Sequence, residues 1–391
     1  MKRIVFHLMV MAMGIIVFTA CTKSEGEPQY TPVLISDGLY VVCGGNVANN
    51  INGSLTYVDY ATGTTTQRAF YNQNHRNLGL TPNDGLVYGS KLYIVVNGEN
   101  TIEVCDAKTL RSIKQIKLVD IFGAERANNP RCISAYDGNI YVTTYGTSEA
   151  EYEGWSVKST SGNGYVLAID TVSFNAGPSY EVGSYPEGLA IYNDFAFVAN
   201  SDYSACLRPS VSVINLETGE KDTYTSDKLY NPTKIAVAGS DIYVLDMGNY
   251  ADVKAEVKKM NVSKNKLSVT VQSVMDATAV CFMGTKIYGI NSPYGATEAT
   301  YEVYDIRTAQ KTTFTNDGVV SPVLIEADPV NNKVYIASYQ IDTATGYPAY
   351  SSNAYIAEYA ADGSKLNEYE CGVGPNAIVF NTRVEYIKFN D

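Results

Sequence analysis

The sequence offers few histidines that could transfer a proton in catalysis. Histidine is the usual choice near neutral pH, and the chain has only His7 and His75. His7 lies in an apolar N-terminal segment, so His75 alone is a candidate, and no G-x-S-x-G, H-E-x-x-H, Walker or EF-hand motif accompanies it. The sequence therefore predicts no enzyme and no catalytic residue. One alternative stays open, catalysis by carboxylates that distant segments bring together.

Cysteine shows no metal-binding or disulfide pattern. Cys21 directly follows the apolar N-terminal segment, and the other six cysteines form no C-x-x-C pair and no zinc-type spacing. Most of them lie in apolar stretches, where a free cysteine behaves as a small apolar residue. We therefore expect no disulfide framework, no metal site and no resident cofactor.

Tyrosine and asparagine indicate ligand binding instead. The chain has 32 Tyr but only 11 Phe and one Trp. A tyrosine follows an Asn or Asp by three or four positions in three successive segments, at Asn200/Tyr203, Asp246/Tyr250 and Asn291/Tyr294. Tyrosine combines an apolar ring with a polar hydroxyl and is common at binding surfaces. The alternative is that these tyrosines pack loops together while the amides shape turns.

A repeated unit must position these residues. Each copy has a short strand after a proline, a tight turn, an apolar strand, and a third strand that ends on Asp or Asn. The clearest copy starts at Pro232 and continues through Ile242–Asp246 to Asn261. Turns such as Asp59-Tyr-Ala-Thr-Gly63 introduce a fourth strand. The first strand recurs at Pro82, Pro130, Pro186, Pro232, Ala277, Pro322 and Pro375.

Seven units of about 45 residues with four strands each predict an all-β fold, a seven-bladed β-propeller of four-stranded antiparallel blades. No segment after residue 20 shows sustained helical periodicity. The final inner strand, Pro375–Phe380, has to join N-terminal residues to close the ring, with Val33–Ile35 as a possible short inner strand. Residues 384–389 read as an additional strand that this closure does not need, which leaves a partial eighth blade as an alternative.

One face of such a propeller should carry the ligand, because its loops are long and rich in Tyr, Asn and Gly. The residues after each inner-strand proline should surround the mouth of the central tunnel. Trp155, the only tryptophan, lies in the long polar loop 145–164 and is expected to contact a ligand or a partner. The candidate ligand-binding residues are Asn46, Asn83, Asp84, Arg131, Tyr145, Trp155, Glu187, Asn200, Tyr203, Asp246, Tyr250, Asn291, Tyr294, Tyr339 and Asn376.

The N-terminus is typical of a bacterial lipoprotein. Lys2 and Arg3 precede an apolar stretch that ends in Phe18-Thr-Ala-Cys21, where cleavage would expose Cys21 for acylation. We assign residues 1–20 to a signal peptide, 21–32 to a lipidated tether and 33–391 to the propeller. The two glutamates in the tether, Glu25 and Glu27, resemble the surface-export signal of Bacteroidetes lipoproteins. That resemblance favours the cell surface over the periplasmic side of the outer membrane. Loss of the signal peptide changes the net charge from −12 to −14, which argues against nucleic acid as a partner and against peripheral binding to anionic membranes. We therefore expect the protein to contact the membrane through its lipid anchor only.

The repeated strands and the V-x-D-x-x-T-G turns resemble the YncE-like propellers over residues 37–380. Together with the lipobox and the Tyr-rich loops, the chain looks like the BtuG type of Bacteroidetes surface lipoprotein. That resemblance implies capture of a corrinoid such as vitamin B12 and its transfer to a TonB-dependent outer-membrane transporter. Two alternatives remain: binding of a glycan or another nutrient, and an adhesion or scaffold protein without a small ligand. Cobalt ligation by His75 is conceivable, although a hydrogen-bonding loop histidine is the simpler reading.

Overall fold

The computed structural model describes residues 30–238, 241–262, 269–296 and 298–388. The predicted signal peptide, Cys21 and most of the predicted tether lie outside these ranges. The first strand begins at Tyr30, so residues 30–32 of the predicted tether belong to a strand. None of the helices in the described ranges is long and apolar enough to span a bilayer.

The described residues form seven four-stranded antiparallel sheets and one separate two-stranded hairpin. In chain order the strands are β1 (Tyr30–Cys43), β2 (Ser54–Asp59), β3 (Thr64–Thr66), β4 (Pro82–Tyr88), β5 (Lys91–Val96), β6 (Thr101–Asp106), β7 (Ser112–Lys117), β8 (Pro130–Tyr136), β9 (Asn139–Thr144), β10 (Glu149–Glu153), β11 (Ser156–Ser161), β12 (Tyr165–Asp170), β13 (Ala176–Glu181), β14 (Pro186–Tyr192), β15 (Phe195–Asn200), β16 (Ser210–Asn215), β17 (Lys221–Tyr224), β18 (Pro232–Ala238), β19 (Asp241–Asp246), β20 (Glu256–Val262), β21 (Val269–Asp276), β22 (Ala279–Met283), β23 (Lys286–Asn291), β24 (Thr300–Asp305), β25 (Gln310–Thr313), β26 (Pro322–Asp328), β27 (Lys333–Ser338), β28 (Ala354–Ala360), β29 (Lys365–Cys371) and β30 (Pro375–Lys388).

These sheets are the blades of the predicted propeller. From the inner to the outer strand, blade 1 is β30-β1-β2-β3 and blade 2 is β4-β5-β6-β7. Blade 3 is β8-β9-β12-β13, and blades 4 to 7 each take four consecutive strands, starting with β14, β18, β22 and β26. Inner strands of neighbouring blades pack together around a central channel, for example β30 with β4, β4 with β8 and β8 with β14. The prediction of seven four-stranded blades is confirmed.

Ring closure differs in one respect from the expectation. β30 is the inner strand of blade 1 and pairs with β1, as closure requires, but it runs without a break from Pro375 to Lys388. Residues 384–388 extend this strand and pair with Tyr30–Leu34. The additional strand and the partial eighth blade are therefore wrong, and Val33–Ile35 belongs to the second strand of the blade. Both ends of the described chain continue together as a two-stranded ribbon.

Proline starts the inner strand in six of the seven blades and is followed each time by a β-bulge. The register shifts directly after Pro82, Pro130, Pro186, Pro232, Pro322 and Pro375. Because a bulge places extra residues opposite a single partner, it reorients the side chains that follow the proline. Blade 6 lacks the proline: β22 begins at Ala279, two residues after the predicted start, and pairs without a shift.

Much of the tyrosine excess is structural. The second strand of six blades carries a buried tyrosine at the equivalent position, and Phe197 occupies it in blade 4. The six residues are Tyr40, Tyr93, Tyr141, Tyr243, Tyr288 and Tyr335. They belong to apolar clusters that join neighbouring blades, as where Tyr40 of blade 1 packs in one cluster with Leu92 of blade 2. Aromatic and β-branched side chains fit the pleated, buried surfaces of these strands well.

Short helices occupy connections between strands. The helices α1 (Ala69–Asn74), α2 (Leu118–Phe122) and α3 (Ala124–Ala127) follow outer strands, and the 3₁₀ helices Val47–Asn49, Asn97–Glu99 and Asp202–Ser204 follow second strands. These short helices agree with the lack of sustained helical periodicity after residue 20. Segments of three to six residues are too short to show the 3.6-residue periodicity that reveals a helix in a sequence.

Candidate functional site

The strongest candidate site is a cleft at the loop face between blades 3 and 4. It has a volume of about 320 Å³. The loops that form it follow the second strands and precede the inner strands, which is the face predicted from the sequence. Apart from Ala150, its lining consists of polar and aromatic side chains: Asn97, Asn129, Arg131, Tyr145, Ser148, Tyr152, Tyr185 and Tyr203.

Four tyrosines make a continuous aromatic wall. Tyr145 and Tyr185 meet edge to face with ring centroids 4.7 Å apart, and Tyr185 continues to Tyr203 at 4.9 Å. Tyr203 then meets Tyr152 edge to face at 6.4 Å. Such contacts fix ring orientation. Tyr185 is buried, whereas Tyr203 and Tyr152 are 44% and 52% exposed, so the outer half of the wall offers free ring surface to a ligand.

A charged pair closes the inner end of this wall. The Nε atom of Arg131 lies 2.9 Å from Oε2 of Glu187, and the Arg131 guanidinium also stands over the Tyr145 ring at 5.3 Å from its centroid. The Tyr145 hydroxyl donates to the other oxygen of Glu187. Burial raises the pKa of Tyr145, and the negative charge of Glu187 raises it further, so Tyr145 is a neutral donor. For Arg131, burial lowers the pKa, but the charge of Glu187 outweighs it and leaves the pKa above its usual value.

Backbone geometry sets the wall in place. Tyr185 directly precedes Pro186 and has φ 48°, and Tyr203 has φ 55° in the short helix after β15. Positive φ is rare for a bulky residue, so surrounding contacts must fix it. At Tyr203 the contact comes from Asp202, which is buried and accepts from the backbone N–H of Leu207 and of Arg208 at 3.2 and 2.7 Å.

A β-hairpin stands beside the cleft where the sequence suggested only a long loop. β10 and β11 pair with each other alone, and Trp155 at the tip of their turn is fully exposed. Thr160 of the hairpin donates to Asp202 Oδ1 at 2.7 Å, and Arg208 donates to the carbonyl of Gly162 at 3.1 Å. The hairpin base is therefore fixed to blade 4, with Tyr152 on its cleft side and Trp155 at its far end.

Four of the predicted residues meet in this cleft: Arg131, Tyr145, Glu187 and Tyr203 form one network with its aromatic wall. Sequence reasoning did not select Tyr185, Tyr152, Asn97, Asn129 and Ser148. Tyr185 had one available signal, because it precedes an inner-strand proline, as Asn129 precedes Pro130 in blade 3. Both have positive φ, so these positions share one local conformation.

Three residues predicted at the tunnel mouth form hydrogen bonds to the neighbouring blade, so these groups are not available to a ligand. The Asn376 amide donates to the carbonyl of Pro82 at 2.8 Å, and the Asn83 amide donates to the carbonyl of Arg131 at 2.9 Å. Asp84 accepts from the backbone N–H of Ile133 at 3.0 Å. Their polar groups hold blades 1, 2 and 3 in register.

Two further predicted residues are buried, and their side chains already bind other protein groups. Asn200 donates from its amide to Ser210 and Ser212 at 3.1 and 3.0 Å. Asp246 accepts from the backbone N–H of Tyr230 and Asn231 and pairs with Lys258 at 2.8 Å. These side chains shape their own loops and do not reach the open face.

The remaining predicted residues are spread around the rim. Asn46 donates to the carbonyl of Tyr350 at 3.0 Å, and Tyr339 packs edge to face on the same Tyr350 at 4.8 Å, so both lie at the junction of blades 7 and 1. The Tyr250 hydroxyl receives a bond from Asn231 at 3.3 Å. Tyr294, which follows Asn291 at the end of β23, is fully exposed. The expected array of equivalent Asn and Tyr pairs is therefore not a single site.

Two larger clefts of about 610 and 600 Å³ flank the loop face. The first lies between blades 1 and 2, beside Arg76 and Lys117, and no aromatic side chain lines it. The second includes Arg208 in its lining, and Tyr230 is its one aromatic residue. We prefer the smaller cleft, because it combines an aromatic wall with an organised charged pair.

His75 lies elsewhere, exposed at the end of α1. Across the described ranges, no group of three or more His, Cys, Asp or Glu side chains is placed to bind a metal.

Comparison with known proteins supports the fold alone. Neither a protein-family model nor a curated protein sequence matches the chain. Among solved structures, the chain is similar to Kuenenia stuttgartiensis hydrazine synthase, with 15% identity and a TM-score of 0.55 over 79% of this chain and 95% of that chain. The computationally designed protein Ika8 follows with 12% identity and a TM-score of 0.45 over 79% and 96% of the two chains, too low to support an argument. The chain is thus a seven-bladed β-propeller, and its function has to be argued from its own cleft.

Proposed function

We propose that this propeller is a surface binding protein, not an enzyme, and that its loop face captures a corrinoid. The observation that carries the proposal is the aromatic wall of Tyr145, Tyr185, Tyr203 and Tyr152, which ends at the Arg131–Glu187 pair. Ring surfaces beside fixed donors and acceptors are what a flat ligand with polar edges requires.

The electrostatics of the cleft suit an uncharged or zwitterionic ligand. Arg131 and Glu187 compensate each other, and the Tyr145 hydroxyl is already engaged with Glu187. The lining also offers ring surfaces and the side-chain amide of Asn129. The Asn97 amide nitrogen already donates to the carbonyl of Pro130 at 3.0 Å, and the Ser148 hydroxyl accepts from the backbone N–H of Tyr185 at 3.1 Å. A corrinoid is a broad disc with amide side chains. With about 320 Å³ available, one edge of the disc would enter the cleft while its face rests across the loop rim.

A glycan is the second candidate, and the cleft volume favours it. About 320 Å³ accommodates one or two sugar rings, near the lower limit for small-molecule sites. Tyrosine faces beside amides and a charged pair also suit hydroxyl-rich rings. The two candidates differ in the area they need, since a corrinoid must contact residues well outside the cleft.

The cellular part of the proposal rests on the sequence. Acylation at Cys21 would attach the protein to the outer membrane, on the cell surface, and the loop face would deliver its ligand to a TonB-dependent transporter. A surface receptor of this kind has to combine ligand capture with a protein contact on the same rim, and exposed Trp155 and Tyr294 are free for that contact.

Calorimetric titration tests the ligand. Residues 22–391, which exclude the lipidated cysteine, would be titrated with cyanocobalamin and, separately, with a panel of surface polysaccharides and oligosaccharides. Saturable binding of one cyanocobalamin per chain supports the corrinoid proposal. Absence of heat and of any change in the cobalamin absorption spectrum at micromolar protein would refute it. Saturable binding of an oligosaccharide with no response to cobalamin would support the glycan function.

A further inference from the structure

The two-stranded ribbon of β1 and β30 extends well beyond blade 1. β2 pairs with β1 only over Gly38–Cys43, whereas Tyr30–Ser36 pairs only with Thr382–Lys388 of β30. Seven residue pairs at about 3.4 Å each give a projection on the order of 20 Å. Cys43 and Pro375 lie at the loop-face end of these strands, so the ribbon leaves the opposite face of the propeller.

The two faces of the ribbon differ mainly in charge: both carry exposed apolar side chains, including Val33 and Ile387 on the second face, but only the second face has an ion-paired Glu and Arg. Paired residues share a face and successive pairs alternate. One face therefore carries the pairs Tyr30–Lys388, Pro32–Tyr386 and Leu34–Val384. The other carries Thr31–Ile387, Val33–Glu385 and Ile35–Arg383. On the second face Arg383 pairs with Glu385 at 2.9 Å and with Asp37 at 2.6 Å.

The first face is apolar, aromatic and exposed. Tyr30 is 55% exposed, Tyr386 67% and Val384 39%, and Pro32 is exposed between them. Lys388 at the end of the stripe is the one charged side chain among these three pairs. Such a cluster of large apolar side chains on a protruding element indicates a surface that contacts something else.

The short segment between Cys21 and Tyr30 indicates that the ribbon lies next to the membrane. Eight residues separate Cys21 from Tyr30, and the nine Cα-to-Cα steps between them span at most about 30 Å. If Cys21 carries acyl chains, as the proposed function holds, the tip of the ribbon stays within that distance of the membrane. Tyrosine favours the boundary between headgroups and acyl chains, and a terminal lysine can extend to phosphates there.

We propose that the face formed by Tyr30, Pro32, Leu34, Val384 and Tyr386 lies on the lipid headgroup region of the membrane that holds Cys21. The ribbon lies at the surface and does not enter the hydrocarbon, because both of its edges expose unpaired backbone groups that only water or headgroups can satisfy. Docked this way, the ribbon directs the opposite end of the propeller, with the tyrosine cleft, away from the bilayer. This inference rests on the lipoprotein part of the proposed function, and it replaces the expectation that the lipid anchor alone contacts the membrane.

A single-tryptophan series tests the contact. Because Trp155 is the only tryptophan, the double variant Trp155→Phe/Tyr386→Trp places one reporter on the proposed face. Its matched control, Trp155→Phe/Ile387→Trp, places the reporter one residue away on the opposite face. The unsubstituted protein reports from the loop face. Each lipoprotein would be reconstituted into phosphatidylethanolamine–phosphatidylglycerol vesicles, with and without phospholipids brominated near the headgroup.

We expect bromolipid to reduce the emission of Tyr386→Trp at least twofold and to leave Ile387→Trp and Trp155 nearly unchanged. No quenching of Tyr386→Trp, or equal quenching at all three positions, would overturn the proposal. Protection of Tyr386→Trp from aqueous acrylamide without bromolipid quenching would also overturn it, because a second copy or another protein would then cover the face. Unchanged thermal melting confirms that each variant is folded.

Two further measurements test the proposed function independently of the ribbon contact. The mass of the N-terminal peptide reports acylation, and cyanocobalamin titration of the same preparation reports ligand binding. If Cys21 is not acylated, a histidine tag before Thr22 holds the variants on chelating lipid, and the same quenching comparison decides whether the ribbon face contacts lipid. A negative titration together with selective quenching would refute the ligand and retain the ribbon contact.

Discussion

Lys234 and Glu326 form an ion pair that joins blades 5 and 7 past blade 6. The Nζ–Oε2 distance is 3.0 Å, and both residues lie on inner strands, so the pair bridges the central channel. Their side chains are 36% and 28% exposed, so solvent can reach the pair. Asp84 of blade 2 also faces these two charges.

Removal of one partner should cost stability, because it leaves the other charge in a confined channel. We expect Lys234→Met and Glu326→Gln each to lower the free energy of unfolding by about 1–2 kcal/mol, a value reduced for the partial hydration of the pair. The double variant should recover about 1 kcal/mol of the summed loss. Urea unfolding of the four proteins measures this coupling, and additive losses would mean that the pair contributes nothing.

Asp84 should make stability depend on pH. Burial raises the pKa of Asp84 from 3.8 to about 6, so the folded protein binds this proton more tightly than the unfolded chain does. Its contribution to stability is therefore greatest below about pH 4 and decreases as the pH rises to 6. We expect Asp84→Asn to gain about 1–2 kcal/mol relative to the unsubstituted protein between pH 4 and pH 7. Denaturant unfolding at both pH values measures the change, and a constant difference would contradict it.

Tyr203 should contribute to ligand affinity more than to stability. Its ring is 44% exposed and closes the aromatic wall of the cleft. We expect Tyr203→Ala to weaken ligand binding at least tenfold, about 1.4 kcal/mol. The matched control is Tyr294→Ala on the same face, since Tyr294 is fully exposed outside the cleft and should leave affinity unchanged. Equal affinities for both variants would place the ligand elsewhere.

Trp155 gives a direct optical signal from the loop face. Because it is fully exposed and the only tryptophan, the free protein should show the red-shifted emission of a hydrated indole and full quenching by acrylamide. A ligand or transporter fragment that reaches the hairpin tip should shift the emission to shorter wavelength. A blue-shifted emission in the free protein would show that the hairpin is folded down onto the propeller.

Four of the cysteine thiols should be unreactive in the folded protein. Cys43 and Cys371 are buried in contact with each other, and that contact together with burial raises the pKa of Cys371 well above its usual value. Burial likewise raises the pKa of Cys132 and Cys281. Since the thiolate is the reactive form, we expect iodoacetamide at pH 8 to label these four thiols rapidly only after unfolding, whereas Cys206 lines an open cleft and is outside this expectation. Mass spectrometry locates the labels, and rapid labelling of any of the four in native protein would contradict the expectation.

Repetition in the sequence made most of the fold predictable. The features that were missed are the ones that do not repeat from blade to blade. The prolines and the alternating apolar strands recur in register, so blade number and strand order followed from the sequence. Arg131 and Glu187 were selected because each follows an inner-strand proline. The cleft as a whole was not predicted, because Tyr185 and Tyr152 come from segments whose contacts depend on three-dimensional packing. Asn200 and Asp246 had the right residue types, but strand pairing turns them inward, where loop backbone and neighbouring side chains occupy them.

The closure of blade 1 bears on when this protein can fold. The pairing of Cys43 with Pro375 joins segments more than 330 residues apart, and no earlier part of the chain supplies the inner strand of that blade. Long-range pairings of this kind form late and slowly. A chain that is still being synthesised therefore exposes the edge of β1 until its last strand is complete, and a truncated product keeps that edge open to proteases and to pairing with other chains.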